Sequence, residues 1–411
     1  MEQFLQKAKN ATKKASSLTP QLKNKILLEM AEDLEKATPF ILSENKKDME
    51  YAKENNLSSS MLDRLFLDEK RVKSMANALR EISQLKEPIG RVLDGWITDD
   101  NLHIKKVSIP IGVIGIIYES RPNVTSDTAG LCFKSSNVCV LKGGKEAEHS
   151  NVAITQILQN TLEKNNLPKE LISLLPDLSR DGVAKFIKMD KYVDLIIPRG
   201  GEGLIKFVNE NSSVPVVKHD KGLCHIFVDE FANEQMAVNI AINAKVQRPG
   251  VCNSMETLLV HESIAFSILP KLQTEFGKYK TKLKGCAKTR AIIDIYEATE
   301  EDFYTEYLDN ILSIRVVENI DEAIEHISKY GSGHSDSIIT ENYTNSNKFL
   351  NEVDSACVYV NASTRFTDGG CFGFGAEVGI STNKLHSRGP MGINDLTTYK
   401  FIINGNGQIR K

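Results

Sequence analysis

The sequence predicts an α/β protein whose centre is a parallel, doubly wound sheet. Three observations predict it. Stretches rich in Val and Ile, at 103–119, 138–144 and 193–198, alternate with segments of helical spacing. Two of them run into glycines, KGG at 142–144 and PRGGEG at 198–203, before a helix-like stretch begins. A second β–helix series starts near Val214. At 411 residues the chain is too long for one ordinary core, so two or three domains are expected.

Residues 1–85 read as helices. Ile26, Leu27, Met30, Ala31 and Leu34 fall on one face at helical spacing, and Met75, Ala76, Leu79 and Ile82 repeat the pattern. Thr19-Pro20 reads as a helix cap with proline in the first turn. From about Gly95 the texture changes, and HIKKVSIPIGVIGIIYE reads as strands. VCVLKGG (138–144) is a strand followed by a helix over roughly 147–164, and VDLIIP (193–198) is a third. The later series holds CHIFVD (224–229), a helix around 234–246, ETLLVH (256–261) and a helix around 263–276. DEAIEHISKYG (321–331) is another helix, closed by Gly331. The glycine-rich tail ends in TTYKFIING, which reads as a strand. No internal repeat or low-complexity linker separates these parts, so tightly packed domains are expected.

Hydrophobic residues at 41% and charged residues at 26% mark a soluble globular chain. A net charge of −3 without a long basic run argues against a nucleic-acid surface; an anionic substrate would need a local pocket of positive charge. The N-terminus lacks the continuous apolar core of a signal peptide, and no apolar run approaches a membrane span. Seven cysteines, at 132, 139, 224, 252, 286, 357 and 371, are odd in number and form no CxxC pair. Neither a disulfide framework nor a metal site is expected, and a reducing cytoplasm fits.

Cys252 lies in KVQRPGVCNSMETLLV. A helix ends near Gln247, Pro249 and Gly250 break it, and a strand resumes at Glu256. The thiol is therefore presented on a turn, with Arg248 four residues away to favour a thiolate. Cys132, Cys139, Cys224 and Cys357 lie in apolar contexts and read as core. Cys371, in DGGCFGFG, is the one serious rival.

Four motifs occur in order: IPIGVIGIIYESRPNVTSD, VLKGGKEAEHSN, RPGVCNS and FGFGAEVGISTNKLHSRGPMG. Together they resemble the aldehyde dehydrogenase superfamily, over essentially the whole chain from about residue 5. Within it, YESRPNVTSD and KLHSRGPMG resemble the branch that reduces γ-glutamyl phosphate. The resemblance implies a Rossmann-like cofactor domain (1–94 and 108–220), an α/β catalytic domain carrying Cys252 (221–361) and a small β oligomerisation flap (95–107 and 397–411). Residues 362–396 would be a segment returning near the active site. It also implies NADPH-dependent reduction of L-glutamate 5-phosphate to L-glutamate 5-semialdehyde, with release of phosphate, through a thioester on Cys252, in proline biosynthesis. A CoA-acylating or hydrolytic aldehyde dehydrogenase is the alternative. A homo-oligomer is expected, and the lability of the acyl phosphate makes association with glutamate 5-kinase a further expectation.

By the same resemblance Asn123 donates its amide to the substrate oxygen, completing an oxyanion hole with the N–H of Cys252. Lys142 contacts the adenosine ribose. Position 145 is often a glutamate in similar enzymes, but here it is Lys145, which favours NADP over NAD unless it merely points into solvent. Gly200, Gly201 and Gly203 line the pyrophosphate, and Glu306 matches a residue that holds the nicotinamide ribose. HDKGLCHIFVD (219–229) lacks the glutamate that activates water in hydrolytic members, although Asp220 aligns roughly with it. For the substrate's anionic groups the candidates are Arg121, Lys218, His219, Lys221, Arg248, His386 and Arg388. His386 and Arg388 have a subunit interface as their other reading.

Overall fold

The computed structural model describes residues 1–217 and 221–410 and bears out the α/β class. The chain divides into two compact units. One comprises Met1–Lys218, Gly373–Gly379 and Met391–Lys411; the other comprises His219–Phe372 and Ile380–Pro390. The returning segment predicted over 362–396 is thus shared between them.

The first unit opens with helices α1 (Glu2–Ser16), α2 (Pro20–Lys36), α3 (Thr38–Glu54), α4 (Ser59–Leu65) and α5 (Glu69–Gln84). Thr19 caps α2, its hydroxyl oxygen accepting the Leu22 N–H at 3.3 Å, and Pro20 occupies the first turn, where no N–H is missed. The predicted face of α2 is fully buried and packs with Val72, Met75, Ala76 and Leu79 of α5.

An antiparallel ribbon follows, β1 (Val92–Ile97) with β2 (His103–Pro110), and the strand Thr397–Asn404 pairs along the other side of β2. All six residues of β1 are exposed, Trp96 and Ile97 among them. Next come β3 (Val113–Tyr118), β4 (Val138–Lys142), β5 (Ile172–Leu174) and β6 (Leu195–Arg199), a parallel sheet in the order β5-β4-β3-β6. β3 and β4 are buried along their whole length, which is why their sequences are continuous apolar runs rather than alternating ones. Helices α6 (Pro122–Lys134), α7 (Glu148–Lys164), α8 (Arg180–Phe186) and α9 (Glu202–Asn211) complete the unit. The chain builds outward from β3 and then returns to its other side as β6, so the carboxyl ends of β3 and β6 form a topological switch point.

The second unit holds a seven-stranded parallel sheet. Its strands are β7 (Cys224–Val228), β8 (Met255–His261), β9 (Lys282–Gly285), β10 (Tyr296–Glu297), β11 (Ile311–Val317), β12 (Ser335–Ile339) and β13 (Cys357–Val360). Their order is β10-β9-β11-β8-β7-β12-β13. Helices α10 (Glu234–Val246) and α11 (Glu262–Lys278) bury Ala237, Ala241, Ile268 and Leu272 against it. The helix Ile320–Tyr330 ends at Gly331, but φ there is −68°, not the left-handed value usual for a glycine cap. The glycine serves packing instead: a Cβ would run into the Ile327 carbonyl oxygen and lie 3.4 Å from Cε1 of His225.

Candidate active site

In the second unit, α10 stops at Val246, with Gln247 at its C-terminal cap, and β8 starts at Met255. Cys252 lies in the intervening turn with its side chain partly exposed. Cys132, Cys139, Cys224 and Cys357 are buried, Cys286 is intermediate and Cys371 is exposed. The turn is clamped from below. A Cβ on Gly222 would fall 2.6 Å from the carbonyl carbon of Cys252 and closer still to its Cα and oxygen, so only glycine fits there. The Cys224 thiol lies 3.2 Å from the Cys252 carbonyl oxygen. Burial drives the Cys224 thiol well above its ordinary range, which leaves it a poor nucleophile beside Cys252.

A second segment straps across this turn. Thr364 donates its hydroxyl to the Asn253 carbonyl at 2.8 Å, and the Asn253 amide donates to the Thr367 carbonyl at 2.8 Å. Between them, Arg365 donates from Nε to the Gln247 side-chain oxygen at 2.9 Å. Burial lowers the pKa of this guanidinium, and the charge of Arg248 lowers it further, while Cys252 and Asp368 act the other way. The sequence pointed to Arg248, which is exposed at the start of the turn, but not to Arg365. Arg365 is over a hundred residues away along the chain, and no local pattern marks it.

Glu306 is partly buried in the loop before β11. The same loop brings the Leu308 carbonyl to 3.3 Å from where a Gly250 Cβ would be, so it borders the Cys252 turn. Below it, Glu256 of β8 and Lys245 of α10 form a fully buried ion pair at 2.7 Å. Burial pushes Glu256 up to about 8 and pulls Lys245 down, each opposed by the partner's charge. Arg388 pairs with Asp354, Nη1 to Oδ1 at 2.8 Å and Nη2 to its carbonyl at 2.9 Å, and Lys384 joins the same carboxylate. His386 is exposed, with φ +75°. Lys218, His219 and Asp220 lie outside the described residues; Lys221 is exposed.

In the first unit the switch point carries a different set. Asn123 is in the first turn of α6, behind Arg121 at the cap and Pro122. Its amide donates to Asp127, one turn on, at 3.0 Å, which fixes the amide and leaves its second N–H for another acceptor. Burial raises Asp127 to about 6, against the hydrogen bonds from Asn123 and Ser126 and the charge of Arg199. Lys142 ends β4 and is buried, which lowers its pKa; the carboxylates of Glu146, Glu119 and Asp177 work in the opposite direction. Lys145 faces outward, its Nζ 5.9 Å from the centre of the Tyr51 ring. The side chain that turns inward is Glu146, next along the short 3-10 turn. At the end of β6, Gly201 caps α9 and donates its N–H to Glu119 at 2.7 Å. A Cβ on Gly200 would lie 2.5 Å from the same carboxylate, whereas one on Gly203 would meet nothing within 4 Å.

The sequence profile of the aldehyde dehydrogenase family matches residues 1–291, a span that includes Asn123 and Cys252. The chain belongs to the aldehyde dehydrogenase family. Among its relatives in that family, the gamma-glutamyl phosphate reductase of Nautilia profundicola is 68% identical over the full length of both chains. That of Sulfurimonas denitrificans is 66% identical over 410 residues, again with full coverage. The crystal structure of gamma-glutamyl phosphate reductase from Thermotoga maritima superposes with a TM-score of 0.98 at 48% identity, covering 100% of this chain and 99% of that one. An acetylating aldehyde dehydrogenase from Geobacillus thermoglucosidasius gives 0.71 at 20% identity and shares the fold. The aldehyde dehydrogenase fold expected from the sequence is therefore the one observed, and enzymes of the family use NAD(P).

Among the described residues no helix is long and apolar enough to cross a membrane, and no cluster of His, Cys, Asp and Glu is placed to hold a metal ion.

Proposed function

We propose that the chain reduces L-glutamate 5-phosphate to L-glutamate 5-semialdehyde and releases phosphate, as a cytoplasmic step of proline biosynthesis. The observation that carries this reading is the partly exposed Cys252 on a clamped turn flanked by two arginines, in a chain whose full-length relatives are named gamma-glutamyl phosphate reductase. Positive charge favours the thiolate, which is the nucleophilic form. The thiolate attacks the acyl carbon, the S–C bond forms as the C–O bond breaks, and the bonding pair leaves with phosphate. Asn123, oriented by Asp127, donates to the carbonyl oxygen as negative charge builds on it.

NADP is the cofactor we propose. The ends of β4 and β6 suit a dinucleotide: Gly203 opens the first turn of α9 to unobstructed space, Lys142 puts a cation at the end of β4, and a 2′-phosphate would be met by Lys145 once its exposed side chain swings from its place beside Tyr51. Gly200 and Gly201 line the same turn, and Glu306 is assigned to the nicotinamide ribose. When bound, the dinucleotide supplies the hydride that reduces the thioester. Arg121, Arg248, His386 and Arg388 remain assigned to the substrate's anionic groups, Arg388 through exchange with its present partner Asp354. The exposed apolar side chains of the ribbon, Trp96, Ile97, Phe401 and Ile403, support assembly with further copies of the chain. Association with glutamate 5-kinase would shield the labile substrate.

Reverse-direction kinetics test the reading. Purified protein receives glutamate 5-semialdehyde and NADP⁺, with and without phosphate, beside a Cys252→Ala variant. NADPH formation that needs phosphate and is lost in the variant is the expected result. Turnover without phosphate would mean hydrolysis of the thioester instead.

A further inference from the structure

The strap residues Thr364 and Thr367 bind one end of the Cys252 turn at Asn253, and Arg365 binds the other end at Gln247. The segment that carries Arg365 is therefore tied to both ends of the turn, and the guanidinium itself is held at Gln247 by a bond that does not use its terminal nitrogens. Among the described residues, the bond from Nε to Gln247 is the one hydrogen bond its side chain makes. Both Nη groups remain as a planar pair of donors, the geometry that matches a phosphoryl group.

Its charge environment is unbalanced. Arg248 repels it, and Asp368, whose charge acts the other way, has an oxygen committed to the turn that follows, accepting the N–H groups of Gly370 at 2.9 Å and Cys371 at 3.2 Å. Two guanidinium groups near one thiolate carry charge enough to hold, besides that thiolate, an anion that arrives with the substrate.

We infer that Arg365 is the residue that binds the phosphoryl group of the acyl phosphate, and inorganic phosphate in the reverse direction, with Arg248 as the second cation. The assignment rests on the acyl-phosphate reading above. It follows from where the substrate's two anions must lie. The phosphoryl group is joined through a single bridging oxygen to the carbon that the sulfur approaches to about 3–3.5 Å. The α-carboxylate is separated from that carbon by three further carbons. A cation fixed at Gln247, on a segment that is also bonded to Asn253 next to Cys252, is placed for the first and not for the second. Because phosphate leaves from this position, Arg365 also stabilises the charge that builds on the leaving oxygen.

The test is reverse-direction kinetics of Arg365→Gln and Arg365→Lys with phosphate and glutamate 5-semialdehyde varied separately. Loss of a charge-assisted pair predicts that Arg365→Gln raises KM for phosphate by about ten- to hundredfold. The KM for the semialdehyde should stay within a few-fold, and Arg365→Lys should recover part of the loss. A merely structural role would move both constants together, or kcat alone, and would overturn the assignment. So would a rise confined to the semialdehyde, which would make Arg365 the α-carboxylate ligand. A binding measurement on the wild-type enzyme covers the case of a variant that fails to fold. Phosphate should slow alkylation of Cys252 by iodoacetamide, and absence of protection would overturn the inference. Wild-type turnover without phosphate is the distinct outcome that refutes the acyl-phosphate reading itself.

Discussion

Glu146 accepts both the backbone N–H and the hydroxyl of Ser120, each at 2.7 Å. Ser120 has φ +36°, an unfavourable conformation for a residue with a side chain, and it immediately precedes Arg121, Pro122 and Asn123. The two bonds to one carboxylate hold the strained residue and so aim the first turn of α6. Glu146→Ala should lower stability by about 2–4 kcal/mol, from two lost bonds to a charged acceptor. Glu146→Gln, which keeps an acceptor, should lose less. Denaturant unfolding of the two variants checks the order, and equal losses would show that the carboxylate does not hold Ser120.

The buried pair of Lys245 and Glu256 gives a second prediction. Lys245→Met strands a carboxyl that is 1% exposed, and should cost about 3–5 kcal/mol. The double variant Lys245→Met, Glu256→Leu removes the stranded group and should regain most of that loss. A double variant as unstable as the single one would mean that the packing of Lys245, not its charge, is what matters.

Asp127 gives a pH prediction. Its folded pKa, about 6, lies above the ordinary 3.8, so the folded state binds the proton more tightly than the unfolded chain does. The resulting stability is complete below pH ~4 and is lost as pH rises through about 6, a change of up to about 3 kcal/mol. Asp127→Asn keeps an acceptor for Asn123 and removes the titration. It should therefore unfold at higher temperature than the wild type at pH 8, and the gap should shrink toward pH 4. A constant gap across that range would remove Asp127 as its source.

Much of the fold was legible because its signals are local. The end of α10 near Gln247 and the start of β8 near Glu256 follow from Pro249, Gly250 and the apolar run after them, so the turn around Cys252 was placed within a residue or so. Other features depend on what lies across the chain. Gly331 looked like an ordinary helix stop, but the close approach of Ile327 and His225 is what demands glycine. At the end of β4 the sequence marks Lys145, which is exposed, but gives no sign that the 3-10 turn brings its neighbour Glu146 to Ser120. Arg365 had no local mark at all, since its partner Gln247 is 118 residues away. Glu119 was likewise invisible as the carboxylate at the start of α9, because that contact joins residues 82 positions apart.

Gly222 supplies the last prediction, because it separates catalysis from stability. A methyl group there would overlap the backbone of Cys252 itself, with no flexible side-chain end to yield, so the turn must move. Overpacking of this kind costs about 1–3 kcal/mol, which a chain of this size tolerates. A displacement of the sulfur by about 1 Å costs far more in rate, on the order of a hundredfold. Gly222→Ala should therefore remain folded, with near-normal secondary structure by circular dichroism, and lose about a hundredfold in kcat. Alkylation of Cys252 in the variant should stay measurable, since the thiol remains partly exposed while the carbonyl beneath it is displaced. A folded variant with wild-type kcat would mean that the turn adjusts without moving the sulfur, and that the contact between Gly222 and Cys252 does not set the nucleophile's position.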